Sequence, residues 1–300
     1  IMVGTGKGAE NGILIKNAEA LETAHKLTTI IFDKTGTLTK GKPEITDIIP
    51  IIGDEKEVLK YAAIVEKGSE HPLGEAVINK AKEKKIKIPE ANSFKAIPGK
   101  GVEAIYNQKK IILGNRLLMK ENKLNIGSFE NKVKELEEQG KTTVFIAADK
   151  KILGIIAIAA TLKEYSKEAV EQLHKMGKEV IMITGDNERT ANAIAKQLNI
   201  DKVLANVLPQ DKEKEIKKLQ KQNKIVAMVG DGINDAPALA QADLGIALGA
   251  GTDIAMETGN IILIKDDLRD VITAIDLSSY TMRKIKQNLF WAFIYNVAGI

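Results

Sequence analysis

Three hundred residues, 44% hydrophobic and 28% charged, describe a globular chain long enough for one or two domains with an ample core. The absence of cysteine excludes a disulfide framework and any thiolate metal site, and the three histidines (His25, His71, His174) have no zinc-ligand spacing. Forty-four basic against 40 acidic residues leave +4, dispersed over many Lys and Glu, which gives no footprint for nucleic acid.

Gly4-Thr5-Gly6-Lys7-Gly8 fails as a phosphate-binding loop, because Gly8 stands where Ser or Thr is needed, and it reads as a flexible connector. Asn17 to Lys26 has the pattern of a short helix, with Asn17 as N-cap and Glu19 near the positive end. Thr28 to Phe32 is an apolar, β-branched run that reads as a buried strand. It ends at Asp33, and Lys34-Thr35-Gly36-Thr37-Leu38-Thr39 follows as a small, polar turn. Gly41 and Pro43 then mark a boundary.

From about residue 49 to 150 the character changes to α+β. Helices are expected over Asp54–Glu66, Leu73–Lys85 and Val133–Gln139, the last stopped by Gly140. Gly101–Tyr106, Lys110–Leu113 and Thr143–Ala147 read as strands, the first two antiparallel. Strand–helix alternation returns at Ile152–Ala159 and Lys163–Met176. It continues through strand Glu179–Ile183, helix Glu188–Leu198, a short strand near Val203 and helix Gln210–Lys221. Strand Ile225–Val229, helix Ala236–Ala242 and strands Leu244–Ala247 and Ile261–Leu263 complete it. Such alternation predicts a doubly wound parallel sheet, formed by residues 1–48 and 151–284, with 49–150 as an inserted domain. Asn288 to Ile300 is mostly apolar and follows Arg283, Lys284 and Lys286. It is shorter than the ~20 residues of a membrane span, so 285–300 reads as the start of a truncated transmembrane helix.

Polar strings fall at successive strand ends, where open α/β sheets keep their ligands. Asp33 can attack phosphorus to form an aspartyl-phosphate, with Lys34 supplying charge and the loop supplying N–H groups and hydroxyls. Thr184-Gly185-Asp186 offers a hydroxyl and backbone N–H groups at a helix start. Pro209-Gln210-Asp211-Lys212 opens a helix with a lysine that phosphate would attract. Gly230-Asp231-Gly232-Ile233-Asn234-Asp235 puts two carboxylates and an amide in one turn, a donor set suited to Mg²⁺.

The string Asp33 to Thr39 resembles the phosphorylation motif of P-type ATPases, and the resemblance runs from Gly4 to Ile300. It implies a haloacid-dehalogenase-like α/β phosphorylation domain with an inserted α+β nucleotide-binding domain of antiparallel sheet and helices. Phosphatases of that class carry a second Asp where Thr35 stands, so the resemblance implies a phosphoenzyme that persists. It also implies that Thr184 contacts the phosphoryl group and Lys212 neutralises it. Asp231 would ligate Mg²⁺ with Asp33 and the Thr35 carbonyl, while Asn234 and Asp235 organise the site. Ser69-Glu70-His71-Pro72, with Gly99-Lys100-Gly101 and Gly114-Asn115-Arg116, resembles the heavy-metal-transporting branch. Glu66, His71, Gly99, Gly101 and Asn115 match its ATP-binding positions, with His71 at the adenine. Many relatives have Asp where this chain has Ala160. Tyr295-Asn296 looks like the copper-transporting members, in which these residues form part of the membrane metal site and a Cys-Pro-Cys-type motif on another helix supplies thiolates.

The expectation is therefore the catalytic part of a copper-exporting P-type ATPase on the cytoplasmic face of the cell membrane. It uses ATP and Mg²⁺, moves Cu⁺, and works with an actuator domain and membrane helices of the same protein. The alternatives are a zinc/cadmium-type ATPase, a soluble haloacid-dehalogenase-class phosphatase, and a non-catalytic nucleotide-sensing module.

Overall fold

The computed structural model describes residues 2–69, 71–231, 235–249 and 257–299. The first part of the chain runs α1 (Met2–Glu10), β1 (Ile13–Ile15), α2 (Ala18–Lys26), β2 (Thr29–Asp33), an irregular turn Lys34–Leu38, then β3 (Thr39–Pro50). Next come α3 (Glu55–Glu66), α4 (Pro72–Glu83), β4 (Ser93–Ile97), β5 (Gly101–Tyr106), β6 (Lys109–Gly114), α5 (Arg116–Glu121), α6 (Glu130–Glu138), β7 (Lys141–Ala148) and β8 (Lys151–Leu162). The remainder is α7 (Ser166–Lys175), β9 (Glu179–Ile183), α8 (Glu188–Leu198), β10 (Lys202–Leu204), α9 (Lys212–Gln220), β11 (Val226–Gly230), α10 (Ala236–Gln241), β12 (Leu244–Leu248), β13 (Ile261–Leu263) and α11 (Arg269–Ala298).

These elements form two compact units, Ile1–Leu38 with Leu162–Thr184 and Ala195–Ile300, and Thr39–Thr161 with Gly185–Ile194. The first is built on a seven-stranded sheet of order β1-β13-β12-β11-β2-β9-β10, parallel except where β1 runs antiparallel to β13. Every residue of β2, β11 and β12 is buried, as strands covered on both faces require. The register decides where function sits. Asp33 lies opposite Ile183 of β9, and Phe32 opposite Val229 of β11. The residues that leave these three neighbouring strands at their C-terminal ends are therefore Lys34, Thr184 and Asp231.

The second unit carries a six-stranded sheet of order β3-β8-β7-β6-β5-β4, with β4 through β8 paired antiparallel. Side chains alternate faces along each strand. Ile111, Leu113, Val144 and Ile146 join Val58, Leu59, Ala62 and Val77 of α3 and α4 in one core. Ile112, Phe145 and Ala147 join Leu118, Met119 and Val133 of α5 and α6 in another.

Several sequence expectations are corrected. Gly4–Gly8 is helical, not a connector. Glycine is what admits it: a Cβ at Gly4 would come within 2.6 Å of Thr281 Oγ1 on α11, and one at Gly8 within 3.0 Å of the Ile13 carbonyl. The strand expected at Ile152–Ala159 belongs to the antiparallel sheet. It pairs with β7 through a turn at Asp149-Lys150, both at positive φ (47° and 62°), without the glycine that usually announces such a hairpin. With β3 on the same sheet, the units divide at 38/39 and 161/162 rather than 48/49 and 150/151, and Gly185–Ile194 groups with the second unit. No separate helix starts at 285, because α11 runs continuously over 30 residues from Arg269. Among the described residues no helix is long and apolar enough to cross a membrane.

Candidate active site

Asp33 closes β2 with its carboxylate buried, 6% exposed. The chain then cannot continue as strand or regular helix, since Thr35 is extended (φ −80°, ψ 123°) and Gly36 takes φ +78°. Glycine suits that left-handed position. It also brings the turn against the next strand end, where a Cβ at Gly36 would lie 3.4 Å from Asp231 Oδ2. Asp235 stands immediately before α10, buried, and packs on Gly230, where a Cβ would sit 2.4 Å from Asp235 Oδ2.

The cation between these carboxylates is Lys212. Pro209 opens a short 3₁₀ turn that leads directly into α9, so Lys212 is its first residue. Its ammonium, itself buried, donates to Asp33 Oδ1 at 2.7 Å and to Asp235 Oδ1 at 2.6 Å. Burial, and then the facing charge of Asp235, push the Asp33 carboxyl up to about 7 against the opposing pull of Lys212. Burial raises Asp235 too. On Lys212 burial acts downward, but the two carboxylates outweigh it and its affinity for the proton rises. One ammonium is thus shared by two buried carboxylates, with Asp231 adding to the negative charge on both.

That imbalance is the test of whether the residues fit a divalent cation, and they do. Two carboxylates share one buried ammonium while Asp231 adds negative charge beside both, and Asp235 Oδ2 is buried without a hydrogen-bond partner among the described residues. No group of three or more carboxylate or imidazole ligands forms a complete cage among the described residues, but Mg²⁺ needs only one or two protein carboxylates, keeping water and phosphate for the rest.

Thr184 follows β9 and is buried, its N–H donating to the Leu204 carbonyl (3.0 Å) and its carbonyl accepting from Val207 N–H (3.0 Å). The structure thus brings together Asp33, Lys34, Thr35, Asp231, Asp235 and Lys212 and leaves Thr184 on the adjoining strand end. Gly185 and Asp186 fall in the second unit, where Asp186 accepts from Thr142 Oγ1 at 3.1 Å. Asn234 lies outside the described residues. Sequence reasoning missed two residues of this region. Thr37 Oγ1 is buried without a partner among the described residues, and Lys163 Nζ donates to the Gly36 carbonyl at 2.6 Å.

In the second unit Glu66, the last residue of α3, is buried with Oε2 unpartnered among the described residues and facing Gly74, where a Cβ would lie 2.6 Å away. Burial raises its pKa, offset in part by Ser69. His71 caps α4, its Nδ1 accepting from Leu73 N–H at 3.2 Å, which places the neutral ring's proton on Nε2. Between β4 and β5 the chain turns through Gly99 (φ +71°) and Gly101 (φ +143°). A Cβ on Gly101 would meet the Leu113 carbonyl at 2.2 Å. Asn115 fastens this turn: Nδ2 donates to the Gly99 carbonyl (2.9 Å), its N–H to the Lys100 carbonyl (2.9 Å), and Oδ1 caps α5 through Leu118 N–H (3.1 Å). Gly99, Gly101 and Asn115 are therefore one constellation, and Glu66 and His71 another around Ser69 and Gly74. Phe94 of β4, half exposed, lies on Gly68 of the second, a neighbour that spacing alone did not reveal. Tyr295 and Asn296 sit on the exposed end of α11, with Asn296 Nδ2 donating to the Ala292 carbonyl at 2.7 Å.

The chain is similar to known proteins in sequence and in fold. Residues 27–243 match the family described as a hydrolase, haloacid dehalogenase-like hydrolase. A probable copper-exporting P-type ATPase of Archaeoglobus fulgidus is 56% identical over 99% of this chain, and a copper-exporting P-type ATPase of Staphylococcus aureus is 51% identical over all of it. The chain spans 36% and 37% of their respective lengths. Among solved structures, a zinc-transporting PIB-type ATPase in its E2.Pi state superposes with a TM-score of 0.71 at 39% identity, covering all of this chain and 50% of that one. The catalytic domain of the CPx-ATPase CopB-B superposes with a TM-score of 0.70 at 33% identity, covering 91% of this chain and 98% of that one.

Proposed function

The chain belongs to the haloacid dehalogenase-like hydrolase family and, within it, to the catalytic regions of P-type ATPases, and from that premise we propose that it binds ATP and takes its γ-phosphoryl group onto Asp33. The observation that carries the reading is the ammonium of Lys212 held between two buried carboxylates at the ends of parallel strands. A carboxylate attacks phosphorus only when ionised. Lys212 withdraws charge from Asp33 in the ground state and is placed to receive the charge that spreads over the phosphoryl oxygens during transfer. An oxygen of Asp33 forms the new P–O bond, the bond to the β–γ bridging oxygen breaks, and ADP leaves with that electron pair. Thr184 offers its hydroxyl to a phosphoryl oxygen, and Lys34 adds positive charge. Asp33, Asp231 and the Thr35 carbonyl would hold Mg²⁺, which supplies neutralisation of the phosphate charge when bound.

Thr35 carries no carboxylate, so no group at that position activates water against the acyl phosphate. The aspartyl-phosphate persists until an actuator domain of the same protein hydrolyses it. In the second unit, the turn through Gly99 and Gly101 receives the nucleotide. Glu66 and His71 meet the adenine, and Asn115 sets the turn.

The nucleophile is tested with Asp33→Asn. Wild-type chain given ATP and Mg²⁺ should take up phosphate in an acid-stable, hydroxylamine-labile form, and the variant should take up none. Incorporation that survives the substitution removes the assignment. Fast hydrolysis of small phosphate esters by the wild-type chain would point instead to a phosphatase of the same class.

The transported metal is proposed as Cu⁺, exported from the cytoplasmic face of the membrane. Copper exporters are the relatives matched at 51–56% identity, and Tyr295-Asn296 stands on α11 beside Leu289, Phe290, Trp291 and Phe293, all exposed. Zinc is the second reading, favoured by the superposition on a zinc-transporting ATPase. The full-length protein in lipid should hydrolyse ATP faster with Cu⁺ under reducing conditions. Stimulation by Zn²⁺ alone would keep the mechanism and replace the cargo.

A further inference from the structure

The turn Lys34–Leu38 poses a hydrogen-bonding problem that its own backbone cannot solve. With Thr35 extended and Gly36 at positive φ, its carbonyls have no regular ladder to enter. A single segment outside the phosphorylation motif takes two of them, those of Gly36 and Leu38. Lys163 Nζ donates to the Gly36 carbonyl at 2.6 Å. Lys163 N–H donates to the Leu38 carbonyl at 3.0 Å, and Ser166 Oγ, fully buried, donates to the same oxygen at 2.8 Å. The Ser166 N–H in turn donates to the Lys163 carbonyl at 3.2 Å, which closes the segment on itself.

Lys163 is only 9% exposed, and an ammonium is costly to bury unless it is paired. Its counter-charge is Asp266, whose carboxylate accepts from the same Nζ and is itself largely open to solvent. An uncharged donor would satisfy one carbonyl without that cost, so the charge calls for a reason, and the neighbouring residue supplies one. Gly36 packs on Asp231, 3.4 Å from an ideal Cβ to Oδ2. The peptide that Lys163 grips thus follows the Thr35 carbonyl and abuts the Asp231 carboxylate, the two groups assigned to Mg²⁺ beside Asp33.

We propose that Lys163 is a positioning residue for the divalent-cation site, fixing the Gly36–Thr37 peptide, and through Gly36 the Thr35 carbonyl that precedes it, against Asp231 while Asp266 and Ser166 hold Lys163 in place. The proposal rests on the reading of Asp33, Asp231 and the Thr35 carbonyl as the cation's ligands. Lys163 touches neither cation nor phosphate. It removes the freedom of a turn that would otherwise present the Thr35 carbonyl in several orientations, as partners beyond the ligand shell do in metal sites.

The test compares wild type, Lys163→Met, Lys163→Arg and Asp266→Asn by two independent readouts, using Mg²⁺ alone and Mg²⁺ with ATP. The first is the rise in melting temperature as MgCl₂ is titrated without nucleotide. The second is the Mg²⁺ concentration giving half-maximal phosphoenzyme. Lys163→Met should raise the Mg²⁺ half-saturation about 10- to 100-fold in both. ATP affinity without Mg²⁺ should be unchanged, and Lys163→Arg should recover part of the loss. Asp266→Asn should shift both in the same direction by less. Should Lys163→Met fail to fold, Asp266→Asn decides. Unchanged Mg²⁺ half-saturation in the variants that fold, or an equal loss of ATP affinity, overturns the proposal. A wild-type chain that shows the Mg²⁺-dependent melting shift but forms no phosphoenzyme removes the ATPase reading and leaves the melting comparison to judge Lys163.

Discussion

The two candidate sites of this chain are built in opposite ways. At Asp33 the groups are charged and buried, and they are already paired through Lys212. Around Gly99, Gly101 and Asn115 they are mainly backbone, turned at positive φ and fixed by one amide side chain. Charge gathered in a low-dielectric pocket gives strong electrostatics where a bond must form. A glycine turn gives close approach to a flat ligand that has only to be held. Under the proposed function the difference makes chemistry and binding separable, so each should fail without the other.

Lys212→Met is the strongest way to break that comparison. It leaves Asp33 and Asp235 facing each other without their shared cation. Phosphoenzyme formation should fall by about 10²–10³, and stability by about 3–5 kcal/mol, read by rapid-quench labelling and by denaturant unfolding. ATP affinity, read by calorimetry, should stay the same. A variant that loses ATP binding while keeping its phosphorylation rate at saturating ATP would erase the distinction. Gly101→Ala is the converse. Its Cβ would press on the Leu113 carbonyl at 2.2 Å and on the Gly114 Cα at 2.5 Å. ATP binding should weaken by about tenfold, or ~1.4 kcal/mol, with phosphorylation at saturating ATP preserved.

The smallest effect sharpens the comparison through pH. Asp33 is raised from 3.8 to about 7, so the folded chain keeps a proton that the unfolded chain gives up. Stability without Mg²⁺ should therefore be greatest below about pH 4 as far as this group is concerned. It should fall as pH rises toward 7. Asp33→Asn should flatten that window by several degrees of melting temperature, while Gly101→Ala should leave its slope as in wild type. A slope unchanged by Asp33→Asn would assign the titration to another group.

How much of this was legible in the sequence follows the range of each interaction. Asn17 as a helix cap and Asp33 at a strand end are local facts, and both stand as read. The parallel sheet could be read because β2, β9 and β11 are each short, buried and followed by a polar turn. β8 could not be assigned the same way, since a strand buried on both faces has one pattern in either sheet, and Asp149-Lys150 hides the hairpin. Lys163 stayed hidden for a different reason. Its partner in the turn is the backbone carbonyl of Gly36, 127 residues away, and a carbonyl carries no residue identity. Phe94 on Gly68 and α1 on α11 are close packings made possible by glycine, which a sequence shows only as a missing side chain.

The most direct measurement is to locate the phosphoryl group itself. The chain would be mixed with Mg²⁺ and ATP labelled at the γ-position, quenched in acid, digested and mapped by mass spectrometry after borohydride trapping of the acyl phosphate. The expected result is one labelled peptide with the modification on Asp33, lost on treatment with hydroxylamine. Label on another residue, or none while ATP is still being hydrolysed, would contradict the assignment of Asp33 as the nucleophile.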